Sequence, residues 1–258
     1  VYMDALSHKP INLTQLNSKA FASVGNDWSV TYPEHINRQY IDMVTAIGKY
    51  LFNVYGYIGI FGPDGIVEYD NNGEPTRFKI NEINLRWQGT TPYQTLNSLL
   101  NNTIPLEYIH YMVKLSDLAP DEIRELAGNP DNGERVEEKG GFYMKLNDIR
   151  CGEGDINGPW IYDHNQLRLE KYNGDEVTPV SAFLYGKYFC GQNKSLIWIF
   201  DPRQNIISNN NLITVGYVIG NGVQVFQSDI PDTTPHGDAI FHQTKKMMEN
   251  RQAIPVEC

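Results

Sequence analysis

The run Asn71-Asn72-Gly73, set between two apolar stretches, constrains the fold of this chain more than any other short segment. An Asn-Gly pair in that setting supplies the backbone conformation that joins two antiparallel strands. The pattern predicts a strand over 57–61, a break at Gly62-Pro63, an extended piece over 65–68 and a partner strand over 78–84. These segments close as an antiparallel hairpin.

Helices flank it. Tyr40, Val44, Ile47 and Leu51 recur at helical spacing and predict a helix over 37–52. Segments 92–101, 106–114 and 119–127 also read as helical, the last with Pro120 near its start, where proline is tolerated. The polar stretch 128–140 is the expected domain boundary. Beyond it the chain is β-rich, with strands expected over 142–149, 167–172, 195–200, 213–219 and 223–226. Gly220-Asn221-Gly222 joins the last two, and a helix over 236–250 closes the chain. Helices and strands mix without regular βαβ alternation, so the expected class is α+β. The chain's 258 residues, 41% of them hydrophobic, suffice for one large or two modest domains. The expected regions are 1–130 and a β-rich 131–258.

Charge narrows the function. With 21 Lys plus Arg against 31 Asp plus Glu, the formal charge of −10 argues against a general nucleic-acid binder, which needs clustered cations. An acidic chain still binds an anionic nucleotide when a divalent cation bridges the two. No apolar run approaches the roughly 18–20 residues that span a bilayer. The three cysteines, Cys151, Cys190 and Cys258, lie at long spacings without a C-x-x-C pair and are expected to be reduced and structural. A cytoplasmic location with no membrane partner is the default expectation.

The chemistry concentrates in Glu82-Ile83-Asn84-Leu85-Arg86. Alternate strand residues share a face, so Glu82 and Asn84 point one way, Arg86 continues the row, and Ile83 and Leu85 point the other way. Asp64, at the start of the hairpin partner, is placed to join that face. Two carboxylates and an amide oxygen suit Mg²⁺, and the guanidinium suits a phosphoryl or carboxylate group. The same alternation also marks the solvent face of a half-buried strand, and the pattern alone does not choose between the two.

This segment, with the preceding aspartate, resembles the magnesium-binding motif of the ATP-grasp superfamily. The longer run from Glu82 to Leu96, through Gly89-Thr90-Thr91-Pro92-Tyr93, is similar to the carboxylate–amine ligase branch that includes the pheganomycin-type peptide ligases. The likeness covers about residues 1–130 and is most specific over 57–96. It implies that Glu82 and Asn84 are magnesium ligands, with Glu82 bridging two ions, and that Asp64 is a further ligand. It implies that Arg86 contacts the γ-phosphate or an acyl-phosphate intermediate, so that Glu82, Asn84 and Arg86 together form the ATP site. Gly89, Thr90 and Thr91 would line the acceptor side.

The implied reaction joins a small-molecule carboxylate to an amine. The acid takes the γ-phosphoryl group of ATP, and the amine then displaces phosphate. The likeness further implies the C-terminal lobe of an ATP-grasp unit, because Val1 falls where the family's nucleotide hinge ends. An N-terminal lobe would then come in cis or from another chain. The other expectation, from a different class, is a non-catalytic binding or assembly module that keeps the lobe's fold.

The remaining features read as structural. His236 and His242 flank a helix start with ordinary cap chemistry, and a spacing of six does not place them on one helical face. His8, His35, His110 and His164 stand without His or Cys neighbours in sequence. The glycine-rich 152–158 lacks a following helix and a P-loop lysine, so it is expected to be a turn.

Overall fold

The computed structural model describes residues 1–16, 21–100, 104–127, 141–148, 158–171, 194–199, 213–221, 224–227 and 232–249. The chain divides into two units, Val1–Leu6 with Thr31–Glu138, and Ser7–Val30 with Lys139–Cys258. The division falls in the polar stretch expected as a boundary, but Ser7–Val30 folds with the second unit. A first region running unbroken from 1 to 130 is therefore corrected. Both units mix helices with antiparallel strands, in keeping with the α+β class.

In the first unit, helix α1 (Glu34–Tyr55) starts after Pro33 with an acidic residue in its first turn, where the backbone N–H groups favour negative charge. Ile36, Tyr40 and Val44 form a buried stripe at four-residue spacing. They close on Phe78, whose ring meets Tyr40 edge-on at 5.6 Å between centroids. Gly56 ends the helix at φ 62°, a conformation glycine adopts without strain. Its N–H donates to the Phe52 carbonyl, the Tyr57 N–H donates to Leu51, and the Tyr57 hydroxyl donates to Ile60.

Those bonds hold 57–60 outside any strand, so the strand expected over 57–61 does not form. Instead β2 (Gly62–Tyr69) runs through Gly62-Pro63, where a break was expected. Among the described residues β2 pairs only with β3 (Pro75–Asn84), so the missing Pro63 N–H interrupts no second ladder. The turn lies at the expected place but is longer than two residues. The Asp70 carboxylate accepts N–H bonds from Asn72 and Glu74, and Gly73 takes φ 85°. Helices α2 (Thr91–Leu100), α3 (Leu106–Leu115) and α4 (Pro120–Ala127) follow close to expectation.

The second unit is built on a six-stranded antiparallel sheet. Its strands are β1 (Gly25–Asp27), β4 (Gly141–Asp148), β5 (Gly158–Asp163), β6 (Arg168–Lys171), β7 (Lys194–Ile199) and β8 (Ile213–Asn221), in the order β1-β4-β8-β7-β5-β6. Gly25 takes φ 151°, and a Cβ there would stand 2.0 Å from the Tyr143 carbonyl oxygen, so glycine is required for β1 to lie against β4.

Strand β5 falls where a glycine-rich turn was expected to be ending. Pro159 lies where only β7 is paired, since β6 begins its pairing at Trp160, so no ladder on the second side needs its N–H. Of the strand expected over 223–226, the described residues 224–226 hold one bridge, between Phe226 and Thr233, and β8 extends through Gly220 and Asn221. Helix α5 (Pro235–Glu249) buries Gly237, Ile240, Phe241, Thr244, Met247 and Met248 along one stripe. Its Phe241 meets Phe142 of the sheet edge-on at 6.5 Å.

Candidate functional site

The site expected from the motif lies on the β2–β3 hairpin of the first unit. A one-residue bulge shapes it. Gly65 pairs with Ile80 and Asp64 pairs with Glu82, leaving Asn81 without a partner in the ladder. Without that extra residue, continued pairing would set Asp64 opposite Asn81 and Glu82 opposite Pro63. The bulge thus places the two carboxylates directly across the ladder, where Cβ atoms typically stand about 4.5–5.5 Å apart. Asn84 lies two residues further on, opposite Gly62. Like charges set opposite one another oppose pairing, and a cation between them reverses the sign.

Arg86 joins the row. Its Nη2 donates to the Asn84 side-chain oxygen at 3.3 Å, and its Nη1 donates to the Trp87 carbonyl at 3.2 Å. The guanidinium stays exposed, as do Glu82 and Gly89, while Asp64, Asn84, Thr90 and Thr91 are half-buried. The structure therefore brings Asp64, Glu82, Asn84 and Arg86 onto one hairpin. Among the described residues no group of three or more His, Cys, Asp or Glu side chains is arranged to hold a metal ion. A cation here would be held by the two carboxylates, the Asn84 amide oxygen, and phosphate or water oxygens.

Ile83 and Leu85, on the alternate positions, are 40% and 48% exposed.

Two side chains that sequence reasoning passed over hold the segment after the strand. Gln88 donates through Nε2 to the Arg86 carbonyl at 2.8 Å and to the Asn84 carbonyl at 3.4 Å. Its amide packs so closely on Gly62 that a Cβ there would stand 2.6 Å away. Its own backbone N–H donates to the Thr91 hydroxyl at 3.0 Å, which fixes the start of α2. The Thr91 hydroxyl thereby caps the turn into α2 as an acceptor.

Thr90 leads to the second side chain. Its hydroxyl donates to the Gln94 Oε1 at 3.3 Å, and Gln94 Nε2 donates to an Asp4 carboxylate oxygen at 2.7 Å. Burial, and then the nearby Glu107, raise the Asp4 carboxyl to about 6. Nothing local in the sequence signals Asp4, because its partners lie 90 and about 100 residues away. Beyond Arg86, Trp87 packs edge-on against His110 at 5.4 Å and lies 6.2 Å from Tyr111, tying the segment to α3.

No family model matches the chain, and no curated protein or solved structure matches it either. No helix among the described residues is long and apolar enough to cross a membrane.

Proposed function

We propose that the chain acts in ATP- and magnesium-dependent joining of a carboxylate to an amine through an acyl phosphate. The observation that carries this reading is the bulged register that sets Asp64 opposite Glu82, with Asn84 next on the row and the Arg86 guanidinium on the Asn84 oxygen. Asp64, Glu82 and Asn84 would hold Mg²⁺ against the phosphate oxygens of ATP. Arg86 would neutralise charge on the transferred phosphoryl group, the main catalytic task in phosphoryl transfer. Gly89, Thr90 and Thr91, in the segment held by Gln88 and Gln94, would position the acyl acceptor. The ATP-grasp C-terminal lobe is part of the same proposal, as is a nucleotide-holding lobe supplied in cis or by another chain.

The test is magnesium-dependent nucleotide binding, with Mn²⁺ as a paramagnetic stand-in and ATP as the ligand, for wild type and Glu82→Ala. Wild type should bind the nucleotide only with the metal, and Glu82→Ala should lose that dependence. Metal-independent binding, or equal binding by both proteins, would overturn the reading. ADP release with candidate acids and amines then separates catalysis from binding. A second reading, a non-catalytic binding or assembly module, is favoured by one observation. Ile83 and Leu85, at the positions alternating with the polar row, are exposed apolar side chains, as on an interaction surface.

A further inference from the structure

The second unit holds an arrangement that the proposed ligase chemistry does not use. His164, directly after β5, is 2% exposed, and Ser195 of β7 is fully buried. Their side chains meet at 2.7 Å, His164 Nε2 to Ser195 Oγ. That bond occupies one ring nitrogen. The other, Nδ1, is buried and has no hydrogen-bond partner among the described residues.

A buried polar atom left so costs about 1–3 kcal/mol, and native interiors rarely keep one. The imidazole of His236, the second residue of α5, stands beside it at 5.3 Å between ring centres with the planes at 82°. His236 is exposed, so the pair opens to solvent on that side. Tyr162 closes another side of the His164 ring, edge-on at 4.9 Å.

We propose that His164 and His236 together bind a borderline divalent transition-metal ion such as Zn²⁺, with water completing the coordination.

Metal-bound histidines characteristically engage their second ring nitrogen in a hydrogen bond that fixes tautomer and orientation, and Ser195 does this for His164. The spacing fits as well. With metal–nitrogen bonds of about 2.0–2.1 Å, each ring centre lies about 3.2 Å from the ion, and a tetrahedral angle sets the two centres roughly 5.2 Å apart. Imidazole donors favour zinc, copper or nickel over magnesium, so this site differs in chemistry from the carboxylate hairpin of the first unit.

The test uses the full chain, stripped with chelator, reduced, and titrated with Zn²⁺ and with Co²⁺ as a visible probe. Wild type should bind one equivalent and give the intense visible absorption of a low-symmetry, four-coordinate Co²⁺ site. His236→Ala, a change at an exposed position, should weaken binding at least tenfold and remove that absorption. Ser195→Ala should weaken binding by about 10–100-fold, and His164→Gln should abolish it. Glu82→Ala should leave it unchanged. Absence of binding, binding indifferent to His236→Ala, or a thiolate charge-transfer band marking cysteine ligation would each overturn the proposal.

Discussion

The two units differ in how many polar groups they enclose. In the first, the candidate chemistry lies along an open hairpin, with Glu82 and Arg86 exposed, and the buried hydrophobic residues described there are Ile36, Tyr40, Val44, Phe78, Tyr93, Ile109 and Ile123, with Ser98 the one buried polar residue described. In the second, Asp27, His164, Ser195 and Thr244 are buried among Phe142, Met144, Leu196, Ile197, Phe241 and their neighbours. Groups that stay solvated exchange ions freely and cost little to fold. Groups enclosed by a sheet and a helix carry desolvation into the folded state, and this makes the stability of their unit depend on pH.

The largest predicted effect follows from that contrast. Burial lowers His8 and His164 to about 4, so each stabilises the second unit above the unfolded value near 6.5 and loses that contribution as pH falls toward 4. Asp27 is raised by burial to about 6 against the bonds from Ser29. It therefore works the other way, adding stability as pH falls from 6 toward 4. Among the described residues the two histidines outweigh the one aspartate, so the second unit should lose stability as pH falls from 7 to 4. The first unit should respond with the opposite sign, because Asp4 is raised to about 6 and Glu107 is raised as well, chiefly by burial. The exposed Asp70 and the half-buried Asp163, both lowered by backbone N–H bonds, push the two units alike and leave the contrast intact. Amide exchange between pH 7 and 4, corrected for intrinsic rates, should show β4 and β8 losing protection while α1 gains it. Movement of both units in one direction would break the comparison.

Gly25→Ala comes next. The new methyl would meet the Tyr143 carbonyl within contact distance in a backbone conformation unfavourable to alanine. Detachment of β1 should cost the second unit about 1–3 kcal/mol, as overpacked sites do. Urea unfolding followed through the Tyr143–Tyr217 stack, 5.0 Å between centroids, would report it. An unchanged midpoint would mean that β1 contributes nothing. Asp27→Asn is smaller and opposite in sign. The side-chain oxygen still accepts the Ser29 bonds at 2.6 and 2.7 Å, while the buried ionisation is removed. The variant should exceed wild type by about 1–2 kcal/mol above pH 6 and match it below pH 4. A constant difference across that range would refute the titration argument.

Legibility followed the range of the interactions. Helices α1 to α5 were readable because their apolar stripes repeat within a few residues, as in Ile36, Tyr40 and Val44. The hairpin was readable from Asn71-Asn72-Gly73, but its beginning was not, because the Tyr57 bonds to Leu51 and Ile60 override the apolar run 57–61. Strand β5 escaped because Gly158-Pro159 reads as a turn, and only the sheet order shows that Pro159 lacks a partner on one side. At the candidate site, alternation placed Glu82, Asn84 and Arg86 on one row but left a solvent face as an equal reading, and the family resemblance singled them out. The bulge at Asn81 was not, since nothing in either strand taken singly says which residues will pair. Gln88, Asp4 and the His164–Ser195–His236 group depend on contacts that no local pattern encodes.

The smallest predicted effect bears most directly on the exposed site. If the bulge sets two carboxylates opposite one another, removing one charge should relieve the ladder. Glu82→Gln keeps the size and hydrogen-bonding capacity of the side chain and loses only the charge. In metal-free, low-salt buffer at pH 7 it should stabilise the first unit by about 0.2–1 kcal/mol, the range for directly opposed pairs. Salt at 0.15 M should shrink the gain, because screening over about 8 Å weakens exposed charges. Millimolar Mg²⁺ should reverse it, since the ion stabilises only the protein that retains both carboxylates. Unfolding midpoints of wild type and variant, with and without Mg²⁺, are sufficient to check this. A gain indifferent to Mg²⁺ would leave the bulge as a structural irregularity, whereas a reversal would tie the Asp64–Glu82 register to cation binding.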